Sequence, residues 1–137
     1  MKIVNAIVCM LRYLWASPYS FVGLLLSLVA ILFGATMRLR NGTVEVAGGR
    51  IGTWVSRLPL FLQFLAITLG HVILGTSHDL LGSHRAHERV HVRQYERWGA
   101  LFIPLYFASS LVQFLRGGDP YLGNRFEREA AVRASKG

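Results

Sequence analysis

Hydrophobic and polar positions along this chain fall into blocks. From Ile3 to Ala16 the sequence is apolar except at Asn5 and Arg12, and Ser17-Pro18 then interrupts it. Ser20 to Met37 (SFVGLLLSLVAILFGATM) has no charge over 18 positions and is followed by Arg38 and Arg40. About 17 to 25 such residues cross a bilayer. The second block therefore predicts a transmembrane helix, separated from the first by the helix-breaking proline. Two other readings compete: both blocks as a buried helical hairpin, or the first as a cleavable signal peptide. The longer block would survive cleavage, which weakens the signal reading.

Between Asn41 and Val55 the pattern changes. Thr43-Val44-Glu45-Val46 alternates and is β-branched, Gly48-Gly49 marks a turn, and Arg50 to Val55 predicts a returning strand. Leu58 to Gly75 is apolar again, with Pro59 and Gln63 in its first half and strand formers in its second. This predicts a short helix and then a strand over Ile67 to Leu74, with a second membrane segment as the alternative. The polar patch Thr76-Ser77-His78-Asp79 suits a helix cap. The helix it opens runs through Ser83 to Trp98 and stops at Gly99. Ala100 to Leu115 is apolar but too short to span a bilayer at about 1.5 Å per residue. After the loop Arg116 to Pro120, Asn124 opens a last short helix and Val132 to Gly137 forms a basic tail. The expected architecture is α+β. A mainly helical, membrane-associated domain with a small antiparallel sheet (residues 41–137) follows an N-terminal hydrophobic helix or helical hairpin (residues 1–40).

Composition sharpens one point. At 137 residues the chain holds a single domain. It is 53% apolar, only 16% charged, and carries a net charge of +8, with a mean hydropathy of +0.40. That charge suits either nucleic acid or an anionic membrane surface. The basic residues flank apolar runs rather than exposed aromatics, so membrane lipid is the expected partner and nucleic acid is not. Arg38, Arg40, Arg50 and Arg57 after the long apolar block outnumber Lys2 and Arg12 before it. This places the remainder of the chain on the cytoplasmic side of the membrane. The lone Cys9 excludes an intrachain disulfide and any Cys-x-x-Cys metal site.

The chemistry lies in Ser83 to Trp98 (SHRAHERVHVRQYERW), which contains His87-Glu88-Arg89-Val90-His91. Residues four apart share a helix face, so His87 and His91 can offer two imidazoles to one metal, with Glu88 beside them as a general base. At about 100° per residue, His84, His87, His91, Gln94, Tyr95 and Trp98 fall in one arc, and Arg85, Arg89, Arg93, Glu96 and Arg97 fall opposite. Histidines thus occupy the side that would ordinarily carry Leu and Ile. The bland alternative is a surface helix with solvated histidines, in which Glu88 pairs with Arg85 or Arg89. A catalytic zinc takes three protein ligands. The residues available for the third place are Glu127, Glu129, His84, His71 and His78. Glu127 also sits three after Asn124, the spacing of a capping box that would turn its carboxylate back on the Asn124 backbone. Gln94 and Trp98 are candidates for supporting the ligands, and Tyr95, Tyr121 and His71 for stabilising an oxyanion. His78-Asp79 reads as a cap.

His87-Glu88-x-x-His91 followed by Glu127-Arg128-Glu129-Ala130 resembles the gluzincin metalloproteases, closest in layout to the membrane-bound HtpX and CaaX-prenyl protease group. The resemblance implies a zincin-like fold, zinc as cofactor, Glu127 as the third ligand with His87 and His91, and Glu88 as catalytic base. It further implies a peptide or protein substrate. Ala131 stands where that group has an Asp after the Ala, so the supporting carboxylate of its pattern is missing. The expected function is a membrane-anchored zinc-dependent metallopeptidase. The alternative is a non-catalytic small membrane protein, with a structural metal site or a basic helix that binds anionic lipid.

Overall fold

The computed structural model describes residues 1–137, the side chain of Phe61 excepted. Both N-terminal apolar blocks form one helix, α1 (Lys2–Leu32), with Pro18 inside it. Proline has no N–H to give to the carbonyl four residues back, here that of Leu14. The Ser17 hydroxyl donates to that oxygen instead, at 2.7 Å. The helix therefore continues where a break was expected, and there is no hairpin. It ends at Leu32, and Ala35–Arg40 forms β1. The tail of the expected transmembrane helix is thus a turn and a strand.

β1 returns through Asn41 and Gly42, both at positive φ (50° and 78°), into β2 (Thr43–Gly48). Two such residues make the tight turn whose twist matches paired strands. Arg50 to Val55 does not return as a strand. Ile51 and Val55, four apart, are both buried against Ala30, Val46, Val72 and Leu74. That spacing makes a helix, α2 (Ile51–Ser56). After a 3-10 turn at Leu60–Leu62 come β3 (Ala66–Leu69) and β4 (Val72–Gly75). The stretch expected as one strand is therefore a hairpin, bent at Gly70 with φ 61°. A side chain at Gly70 would run into Ser20 and the Ala16 carbonyl, and the Ser20 hydroxyl accepts from the His71 N–H at 2.9 Å.

The strand order is β1-β2-β4-β3. The outer pairs are antiparallel and the central β2–β4 pair is parallel. The sheet is therefore mixed rather than antiparallel, because the crossover through α2 brings β4 back alongside β2 in the same sense. α3 (His78–Trp98) packs against it, opened by Ser77, whose hydroxyl accepts from the Leu80 N–H, and closed by Gly99 at φ 54°. A carboxylate fixes this packing. Glu45 on β2 is fully buried and takes both Nε and Nη2 of Arg85 on α3, at 2.6 and 2.9 Å. A 3-10 turn (Gly99–Leu101) leads into α4 (Phe102–Leu115), and α5 (Arg125–Ser135) closes the chain, capped by Asn124. Two helical segments, α1 and the composite His78–Leu115, are long and apolar enough to cross a membrane.

α1 is packed inside out. Its buried residues are small: Ala16, Gly23, Ser27 and Ala30. They recur at helical spacing; Gly23 lies against Val72 and Leu69, Ala30 joins the cluster around Val46 and Val72, and Ala16 packs with Tyr95, Phe102 and Phe126. In its C-terminal half large residues point away, among them Phe21, Leu24, Leu25, Leu28 and Leu32.

Candidate metal centre

α3 delivers His87 and His91 on one face, and α5 brings Glu127 over them. The His87 Nε2 lies 3.0 Å from Glu127 Oε2 and 3.1 Å from His91 Nε2. His91 Nε2 lies 3.4 Å from Glu127 Oε1. These three side chains form a group that could hold a metal ion. Tetrahedral ligands about 2.05 Å from a zinc ion sit about 3.3 Å from one another, so the triangle already has the right size.

The supporting bonds fix which atoms face the centre. The Gln94 amide nitrogen donates to the Phe126 carbonyl (3.0 Å) and to Glu129 Oε2 (2.9 Å). Its oxygen lies 2.8 Å from His91 Nδ1. An amide oxygen only accepts, so Nδ1 carries a proton, and whenever His91 is neutral it is the Nε2 lone pair that faces inward. Tyr106 on α4 donates its hydroxyl to Glu127 Oε1 at 2.6 Å. Burial works against ionisation of Glu127. Hydrogen bonds from His87, His91 and Tyr106 outweigh it and hold the carboxyl well below its ordinary range. Burial likewise acts to lower the His91 pKa, but the neighbouring Glu127 raises it on balance.

Glu88 is buried one position along the helix. Thr68 on β3 donates its hydroxyl to Glu88 Oε2 at 2.7 Å. Glu88 does not pair with the nearby arginines, since Arg85 is held by Glu45 and Arg89 by the Asn41 side-chain oxygen. Nor does Glu127 form the capping box. Asn124 caps α5 through its own side chain, accepting from the Phe126 N–H, which leaves Glu127 to the histidines.

The other candidates are committed elsewhere. Glu129 pairs with Arg133 and Gln94. His71 bonds to Glu96 at 3.0 Å and stacks on Tyr13. His78 meets Thr36, and His84 Nδ1 turns to the Leu80 carbonyl. Tyr95 is buried and donates to the Thr68 carbonyl, and Trp98 packs in the cluster around Ala16, Tyr95 and Phe102. Of the three expected oxyanion stabilisers, Tyr121 is the one that keeps its hydroxyl at the cleft beside Glu127, to which it hydrogen-bonds. Its phenol pKa is raised by burial and by the Glu127 charge.

His87, Glu88, His91, Glu127 and Tyr121 all line one cleft of about 670 Å³. β3 forms one wall; it is an edge strand with no strand beyond it, and its Thr68 carbonyl accepts from Tyr95. The other walls include Phe102, Ile103, Tyr106 and Phe107 of α4. Comparison of the chain with protein-family models, curated proteins and solved structures gives no match in any of the three. The class of site, three nitrogen and oxygen donors converging in an apolar cleft of an α+β domain, stands on its geometry.

Proposed function

We propose that this chain is a membrane-associated zinc-dependent metallopeptidase. The observation that carries the reading is the convergence of His87, His91 and Glu127 at ligand spacing inside a cleft that also holds the Glu88 carboxylate. Three protein donors with one side open to a cleft suit catalysis. A structural zinc is closed by four. Two imidazoles and a carboxylate match zinc by donor type and geometry. Zinc bound there supplies a polarised carbonyl and a water acidified toward neutrality.

The remaining steps belong to the chain. The outer edge of β3 pairs with an extended peptide by backbone hydrogen bonds and lays it across the cleft. Glu88, oriented by Thr68, accepts the proton of the attacking water and passes it to the leaving amine. Tyr121 donates its hydroxyl to the oxygen on which negative charge develops. The apolar walls contributed by Leu65, Ile67, Phe102 and Phe107 favour peptides with large apolar side chains. They also keep water away from the reacting bond. Replacing Glu88 with Gln tests the assignment: peptide hydrolysis falls below detection while zinc content stays that of the wild type. Loss of zinc in that variant, or retained hydrolysis, contradicts the role.

A further inference from the structure

We infer that α1 lies lengthwise in the surface of one bilayer leaflet and does not cross the membrane. This rests on the membrane association in the reading above and is independent of the metal. From Phe21 to Leu32 the outward face of α1 is an apolar surface, and Met1 to Trp15, apolar apart from Lys2, Asn5 and Arg12, is exposed throughout. Phe21, Leu25, Leu28 and Leu32 are 50–75% exposed, while the face toward the protein is small residues at 0–3% for Ala16, Ser27 and Ala30. A water-soluble amphipathic helix has the reverse arrangement. Lipid is the solvent in which large apolar side chains face outward and small ones mediate helix packing. Length alone, about 46 Å for 31 residues, is compatible with crossing.

The neighbours of α1 are not. The Tyr13 hydroxyl donates to the Gly42 carbonyl at 2.9 Å, so the turn after β1 sits beside Tyr13. The other end of that strand pair lies at the end of α1, where Gly49 packs against Phe33 and Gly34. The β1–β2 hairpin, about 20 Å long for strands of six residues, therefore runs back along α1 between Phe33 and Tyr13, over most of the ~30 Å depth of a hydrocarbon core. The β3–β4 turn touches Ser20, within the same stretch. If α1 crossed the bilayer, both hairpins would sit at hydrocarbon depth. With them would go the free edge of β1 and the exposed Arg38 and Arg40. Open sheet edges and exposed arginines are excluded from that layer.

Lying in the plane removes the conflict. The outward face of α1 beds among acyl chains, and the sheet and metal centre stay on the aqueous side. The exposed basic residues along α1 and β1 (Lys2, Arg12, Arg38 and Arg40) match the charge of an anionic headgroup layer. α4 starts beside Trp15, which packs on Gly99, and its exposed Leu111, Phe114 and Leu115 extend the apolar surface.

The test uses the full chain with Cys9→Ser and one new cysteine at a time, Lys2→Cys, Thr53→Cys or Lys136→Cys. Membrane vesicles of both orientations are prepared from expressing cells and treated with a membrane-impermeant thiol reagent. All three positions are expected to react from the same side. Reaction of any one from the opposite side overturns the in-plane arrangement. The wild-type chain, whose Cys9 is exposed on α1, distinguishes a second copy as the occupant of this face. Under oxidising conditions in the membrane it is expected to remain monomeric, and near-complete Cys9 cross-linking overturns lipid as the occupant. Both readouts are independent of zinc, so they fail or succeed separately from the peptidase assignment.

Discussion

One amide sets the protonation of the candidate centre. Gln94 gives its nitrogen to α5 and its oxygen to His91 Nδ1, and so decides which imidazole nitrogen faces inward. Partners of this kind typically alter metal affinity by about 10- to 100-fold. Gln94→Leu is therefore expected to weaken zinc binding by that order, measured by competition with a fluorescent chelator; unchanged affinity would contradict the role. Tyr106→Phe removes one bond to Glu127 and is expected to weaken zinc less than Gln94→Leu does. At this scale the sequence was partly legible. The four-residue spacing of His87 and His91 announced a shared face, and Gln94 fell in the same arc. Glu127 could be chosen among five candidates only by resemblance, since nothing in the local pattern shows α5 folding over α3. Thr68 and Tyr106 were not legible as site residues. Each acts on a carboxylate far away in sequence, and each looks locally like an ordinary strand or helix residue.

At the scale of elements, the junction between sheet and helix rests on Glu45 and Arg85. Removing one partner of a buried pair strands the other charge, at a typical cost of about 3 kcal/mol or more. The exposed Arg40 lies 3.7 Å from Glu45 and offsets part of that. Arg85→Met is expected to destabilise the protein by about 2 to 3 kcal/mol, read from denaturant unfolding in detergent. The double variant Arg85→Met/Glu45→Met should recover much of the loss; if it is no more stable than the single variant, the pair is not the reason. The bland alternative paired Glu88 with Arg85 or Arg89, three positions or one away, whereas the partner of Arg85 lies 40 positions away. The same limit hid the first hairpin. Asn41-Gly42 is a strong turn signal, but Gly34 to Met37 continued an apolar block and read as helix. Pro18 misled in the opposite direction, because a break was inferred from the proline without the Ser17 hydroxyl that relieves it. α3 and α5, by contrast, start and stop at the caps their sequences name: Ser77 and Gly99 for the first, Asn124 for the second.

The whole molecule divides into an apolar side and a chemical side. The outward faces of α1 and α4 carry most of the large exposed hydrophobic residues, and α3, α5 and the edge of β3 enclose the cleft. The composition announced the first half of this, since 53% of the chain is apolar and it is short, which leaves many large apolar side chains at the surface. It could not show that the long apolar block lies along a sheet, which is a property of topology. On the chemical side everything depends on whether three converging donors hold a cation. The most direct measurement is the zinc content of the purified chain after loading and exhaustive dialysis, set beside that of Glu127→Ala and His91→Ala. The wild type is expected to keep one zinc per chain and both variants almost none. A wild-type chain that emerges without metal, or a Glu127→Ala chain that keeps it in full, would contradict the metal centre.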